Sequence, residues 1–167
     1  MVLGIFIKVI AITIVIVSTA IYLLFRFRKN KQKENLSFSF KDTIGEVGLP
    51  IVSFEHNGKL FDFIIDSGAS YSTICPEYLN DFYYVPLEGN GAIFGIEGNV
   101  QDTSLVGIIL FSSKYEFVQT FQVTPIPGIN TMNEFYNKNV VGILGSDFLL
   151  KYKFLIDYND LTAYTDE

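Results

Sequence analysis

The sequence predicts a mostly β domain that follows a single membrane-spanning helix. Three observations lead to this prediction. Residues 2–25 are apolar apart from Lys8, the apolar residues after Gly48 come in short runs rich in Ile, Val, Phe and Tyr, and Gly, Asn, Asp and Pro separate these runs. β-branched and aromatic residues favour strands, whereas the separating residues favour turns. A chain of 167 residues leaves room for one ordinary domain beside such a helix.

Residues 2–25 are predicted to form an uncleaved membrane anchor. A helix of this length extends about 36 Å, more than the roughly 30 Å of hydrocarbon core in a bilayer. Lys8 lies near one end, where its ammonium group can reach the interface. The alternative is a cleaved signal peptide ending at the small residues 17–20, but the apolar run continues to Phe25.

The charges that flank the span predict its orientation. Lys8 lies near the N-terminal end of the span. The basic residues on its C-terminal side are Arg26, Arg28, Lys29, Lys31 and Lys33. Because cytoplasmic flanks carry the excess of Lys and Arg, we expect a single-pass membrane protein with its domain in the cytoplasm. Residues 26–47 are interpreted as a basic juxtamembrane segment and linker, and residues 48–165 as the folded domain.

Charge and composition exclude several classes of function. Residues 34–167 hold six basic residues against all 18 acidic ones, a net charge of −12, which disfavours binding to nucleic acid. With one cysteine, Cys75, and one histidine, His56, the chain has no disulfide framework, and a zinc site is disfavoured. We therefore expect no metal and no cofactor. Catalysis would depend mainly on carboxylates or hydroxyls.

The predicted strands follow one another from residue 50 onwards. Residues 50–55 and 60–65 form a hairpin, because Asn57-Gly58 suits a type I′ turn in which both central residues have positive φ. Further strands are predicted at 91–94, 100–111, 115–123 and 140–144. A last hairpin joins 153–158 to 161–164, and residues 125–139, with two prolines, are interpreted as a surface loop.

Two short helices complete the predicted elements. The first begins at Pro76, which suits the first helical turn, and ends near Phe82. The second follows Gly145, with Ser146 or Asp147 as its N-cap. Asp147 could instead supply a second catalytic acid within one chain, although its position before a helix favours the cap.

An aspartate follows the apolar strand 60–65 directly and begins a glycine-containing turn, Asp66-Ser67-Gly68-Ala69. This turn resembles the active-site motif of the retropepsin-like (retroviral-type, clan AA) aspartic proteases, which is Asp, Ser or Thr, Gly, Ala between hydrophobic strands. The resemblance implies that Asp66 is the catalytic carboxylate. It also implies that Ser67, Gly68 and Ala69 support the active-site loop.

Two further segments extend the resemblance over most of residues 48–165. The family has two hydrophobic residues and a glycine against the catalytic loop, here Ile143, Leu144 and Gly145, followed by a short helix. It also has a glycine-rich flap, here within 89–98, whose candidate substrate-contacting residues are Gly91, Ile93, Phe94, Gly95 and Ile96. The implied fold is a closed β-barrel or sandwich with one or two short helices.

The resemblance implies a homodimer, since the chain has only one such aspartate motif. Asp66 from each of two chains would share one proton and activate a water that hydrolyses a bound peptide or protein substrate. The alternative is a catalytically inactive member of the fold that binds peptides or dimerises at the membrane. A thiol protease built on Cys75 and His56 is disfavoured, because no motif surrounds either residue.

Overall fold

The computed structural model describes residues 36–94 and 100–165, which form ten strands and four short helical segments. In chain order the elements are β1 (Ser37–Ser39), α1 (Lys41–Val47), β2 (Ile51–His56), β3 (Lys59–Ile65), β4 (Thr73–Ile74), a 3₁₀ helix (Pro76–Asp81), β5 (Tyr84–Phe94), β6 (Val100–Ser112), β7 (Tyr115–Val123), α2 (Ile129–Tyr136), β8 (Val140–Leu144), α3 (Ser146–Lys151), β9 (Phe154–Asp157) and β10 (Thr162–Thr165).

Six of these strands close into a barrel. They pair in the order β2-β3-β8-β4-β7-β6, and β6 returns to β2 where Phe111 pairs with Glu55. β5 extends the sheet beyond β6, and β1, β10 and β9 form a separate three-stranded sheet. The prediction of a mostly β fold with a closed barrel and few short helices is confirmed.

The hairpin of β2 and β3 has the turn that its sequence predicts. Asn57 has φ 51° and Gly58 has φ 74°, so both central residues are left-handed. β3 then pairs in parallel with β8, with Ile64 opposite Ile143 and Ile65 opposite Leu144. This pairing places the ends of two strands side by side, although they lie far apart in the sequence.

Phenylalanine rings fill the barrel. Phe54 packs against Phe63 with ring centroids 6.1 Å apart and against Phe148 at 5.8 Å. These three rings and Phe121 are almost fully buried. Each such ring stabilises the fold by about 1.5–3 kcal/mol through burial. Many of the phenylalanines in the sequence therefore serve to build this core.

The structure differs from the predicted linker over residues 36–47. β1 pairs with β10, and α1 follows it directly. Leu36 and Phe40 are buried in the main core, and the Phe40 amide donates to the carbonyl of Leu161 at 2.9 Å. The apolar side chains of this segment therefore belong to the domain.

Two predicted helices are confirmed, and two helices, α1 and α2, were not expected. The 3₁₀ helix begins at Pro76, and α3 follows Gly145. α2 occupies residues that were predicted to be a surface loop. It begins after both prolines of that segment, its Ile129 is buried, and the Asn133 side chain bonds the backbone N–H and carbonyl of Val140 at 2.9 and 2.8 Å.

The predicted membrane anchor, residues 2–25, and the basic residues that follow it lie outside the described residues. Within the described ranges, 36–94 and 100–165, no helix is long and apolar enough to cross a membrane.

Candidate active site

The loop after β3 presents Asp66 at the end of a barrel strand. The Asp66 amide donates to the carbonyl of Leu144 at 3.0 Å, which continues the parallel pairing of β3 with β8. The Gly68 amide then donates to Oδ1 of Asp66 at 2.8 Å, and the Ala69 amide donates to the Asp66 carbonyl at 3.1 Å. These bonds fix the turn and orient the carboxylate.

The segment Ile143-Leu144-Gly145 lies directly against this loop. The Ser146 amide donates to the carbonyl of Ala69 at 2.8 Å, and the Ser146 hydroxyl donates to the carbonyl of Ser67, also at 2.8 Å. A Cβ atom at Gly145 would lie 2.7 Å from the carbonyl carbon of Tyr71 and 2.9 Å from the carbonyl oxygen of Ala69. The structure thus brings together the two segments that the sequence singled out, and only glycine fits at residue 145.

Gly142, which the sequence analysis did not single out, has a similar role three residues earlier, within β8. A Cβ atom there would clash with the carbonyl oxygen of Thr73 and lie 3.1 Å from the ring of Phe63. Gly142 therefore allows β8 to approach β4 just beyond the loop. The signal was present as a second glycine three residues before Gly145.

Asp66 is exposed in the single chain, together with Ser67 and Gly68. The apolar strand before it would suit a buried carboxylate, but in one chain by itself the carboxylate is exposed. The reason is that β3 ends at Ile65, so the following loop lies at the rim of the barrel. One chain presents this carboxylate to solvent, and Gly68 satisfies one of its oxygens.

Asp147 is neither a helix cap nor an acid aimed at Asp66. Its Oδ1 accepts from the Ser72 hydroxyl at 2.8 Å, and its Oδ2 accepts from Nε2 of Gln119 at 2.7 Å. Ser72, which is almost fully buried, also accepts from the Gly145 amide at 3.1 Å. This cluster of Ser72, Gln119 and Asp147 ties the end of the Asp66 loop to β7 and α3. The predicted cap is wrong because Gly145 holds the N-cap position without a side-chain bond.

The predicted flap falls on a hairpin formed by β5 and β6. The two strands pair as far as Phe94 opposite Val100. Gly91, Ile93 and Phe94 lie on β5, whereas Gly95 and Ile96 lie outside the described residues. At the base of the hairpin the register shifts between Leu87 and Asn90, and Gly89 has φ 114°, a conformation that favours glycine.

Cys75 and His56 do not form a catalytic pair. Burial raises the pKa of the Cys75 thiol, which disfavours the reactive thiolate. Nδ1 of His56 lies 2.8 Å from the carbonyl of Ile109, and Nε2 accepts from the Tyr83 amide at 2.7 Å. Both ring nitrogens of His56 are therefore hydrogen-bonded to backbone groups. Within the part of the chain that the structure describes, no group of three His, Cys, Asp or Glu side chains could hold a metal ion.

Comparisons with known proteins do not assign this chain. No model of a protein family matches it. A search of the curated proteins finds no match either.

Proposed function

We propose that the chain is one half of a homodimeric aspartic endopeptidase of the retropepsin-like class. The observation that carries the proposal is the loop at Asp66. Its carboxylate is exposed and is oriented by the Gly68 amide, and the turn packs against Gly145 and is hydrogen-bonded to Ser146. An exposed, rigidly supported carboxylate suits a site that a second copy of the loop completes.

In the proposed dimer the two Asp66 carboxylates meet across a twofold axis. Two carboxylates within hydrogen-bonding distance of each other do not both ionise readily, so the pair shares one proton. The ionised member takes a proton from a water molecule, and the protonated member polarises the scissile carbonyl of the peptide. In each chain the Gly68 amide donates to one oxygen of Asp66, which fixes the orientation of the two carboxylates relative to the water.

The substrate would be an extended peptide that lies between the loop and the hairpin of β5 and β6. Strand-like pairing with such a hairpin binds the main chain, and side-chain pockets provide selectivity. Residues 2–25 would anchor the protein in a membrane with the domain on the cytoplasmic side, so that its substrates are proteins of that compartment or of the membrane surface.

The test is hydrolysis of a peptide library by the full-length chain in liposomes, read by mass spectrometry. Asp66→Asn keeps the size of the side chain but removes the ionisable pair, so we expect no hydrolysis from this variant. Asp160→Asn is the matched control, because Asp160 is exposed in the turn between β9 and β10, and it should keep full activity.

Hydrolysis that persists in the Asp66→Asn variant would refute the aspartic protease. Peptide binding without hydrolysis by the wild-type chain would support the inactive peptide-binding module instead.

A further inference from the structure

Three polar oxygens are buried without a partner near the base of the β5–β6 hairpin. Among the described residues, Oγ1 of Thr73, Oγ1 of Thr103 and Oε1 of Gln122 have no hydrogen-bond partner. Only 4% of Gln122 and 5% of Thr103 is exposed. Buried polar groups in folded proteins are nearly always bonded, so such a group is a candidate for bonding to a ligand.

The three side chains share one face of the sheet. Thr73 pairs with Gln122, and Gln122 pairs with Leu105, so these side chains project to the same side. Thr103 lies two residues from Leu105 on the same strand and therefore shares its face. Phe121, the neighbour of Gln122, points the other way into the barrel core. The three polar side chains thus form a row on the outer face of the barrel, which we call the polar row.

The polar row runs from the catalytic loop to the hairpin. At one end the backbone N–H of Gln122 donates to the carbonyl of Ser72 at 3.0 Å. At the same end Thr73 pairs with Ile143, which belongs to the segment that supports the loop. At the other end a Cβ atom on Gly91 would lie 2.6 Å from Oγ1 of Thr103 and 2.9 Å from Nε2 of Gln122. The row therefore lies where the proposed function places the substrate.

The row is least buried at its Thr73 end. Thr73 and Ile143 are both half-buried, whereas Gln122 and Thr103 lie deeper. Rotation about χ1 exchanges the hydroxyl and methyl groups of Thr73, so the hydroxyl can change direction without any movement of the backbone. At the far end, Gly89 and the register shift beside it let the base of the hairpin bend.

We propose that Thr73, Thr103 and Gln122 form a subsite for the carboxamide of an asparagine or glutamine side chain of a peptide, which deepens the proposed protease function and rests on it. The carboxamide nitrogen donates to Oε1 of Gln122, and its oxygen accepts from a threonine hydroxyl. A carboxylate fits poorly, because the three side chains are uncharged and Oε1 of Gln122 cannot donate. A leucine side chain leaves the oxygens unpaired.

The test compares peptides that differ at one position. Full-length protein in liposomes is given decapeptides from the library hit, in which each residue beside the scissile bond is in turn Asn, Leu or Asp. Asn and Leu are similar in size, so the comparison isolates the hydrogen bonds. At one position we expect kcat/KM to be at least tenfold higher for Asn than for Leu, and lowest for Asp.

Two variants connect this preference to the row. The double variant Thr73→Val, Gln122→Met keeps side-chain size and should abolish the preference for Asn, measured as the ratio of kcat/KM for the Asn peptide to that for the Leu peptide. Thr103→Val is a milder second variant that should reduce the preference if the double variant does not fold. Thr120→Val, an exposed position on β7, is the matched control and should leave the preference unchanged.

A binding measurement separates this proposal from the protease itself. Fluorescence anisotropy with the Asp66→Asn chain should show labelled Asn peptide bound at least tenfold more tightly than Leu peptide. Equal kcat/KM for Asn and Leu at every position would overturn the subsite and leave the protease standing. If no peptide is cleaved, the protease function fails, and anisotropy alone then decides the subsite: tighter Asn binding supports it, and equal binding overturns it.

Discussion

Replacing Gly145 by alanine tests the contact on which the candidate site depends. Gly145 has φ −88°, which any residue adopts, so backbone strain does not arise. The cost comes instead from three backbone atoms: the added Cβ would lie 2.7 and 2.8 Å from the carbonyl carbon and oxygen of Tyr71, and 2.9 Å from the carbonyl oxygen of Ala69. The loop must withdraw by about 0.5 Å or more to restore ordinary contact.

Overpacking of this kind costs about 1–3 kcal/mol, so we expect the free energy of unfolding to fall by that amount. In urea the unfolding midpoint should fall by about 1 M, and tyrosine fluorescence of the full-length chain can report it. Displacement of the loop also moves Asp66, so kcat for peptide hydrolysis should fall at least tenfold.

The matched control is Gly45→Ala in α1, where a Cβ atom meets nothing within 4 Å. This substitution should stabilise the domain by about 0.5–1 kcal/mol, because alanine favours helix more than glycine does. If Gly145→Ala is as stable and as active as Gly45→Ala, the close packing of the loop on Gly145 does not support the site.

Three further predictions concern other parts of the domain. Asp147→Ala removes the acceptor of the Ser72 hydroxyl and one acceptor of the Gln119 side chain, and it should lower the free energy of unfolding by about 1–3 kcal/mol, measured by urea denaturation; an unchanged midpoint would contradict the role given to the cluster. Cys75 should react with a thiol reagent only as the chain unfolds, because the residue is fully buried and burial also raises the pKa of its thiol; fast labelling of the native chain would contradict this. Specific activity in liposomes should rise with surface density, and a density-independent rate would argue against a shared site.

The sequence predicted best where one local rule determines the structure. Asn57-Gly58 specifies its turn through the conformation of two residues, and the structure has that turn. The adjacency of Asp66 and Gly145 followed from the resemblance to a known family. No local pattern in the sequence indicates the parallel pairing of β3 with β8 that produces it.

The predictions that failed depend on distant partners. Phe40 lies in a segment whose sequence is mixed and weakly patterned, and its place in the fold is set by Leu161 and the core residues, which are distant in the chain. Asp147 has the sequence context of a cap, but Ser72 and Gln119 compete for its carboxylate, and both are far away in the chain. Helix α2 could have been predicted from Ile129 and Met132, whose spacing of three residues favours an apolar helix face, and both pack in the smaller core cluster.

The hydrogen bond from Ser146 to Ser67 joins residues 79 positions apart and has a consequence for synthesis of the protein. During translation the segment around Asp66 leaves the ribosome long before Ser146 is added to the chain. Until then the loop lacks its hydrogen bonds with Leu144 and Ser146, and β3 lacks β8, its parallel neighbour. Domains fold as units once their chain is available, so the loop around Asp66 takes its shape only near the end of synthesis. With the activity proposed above, a nascent chain would therefore be inert until β8 and α3 have been made.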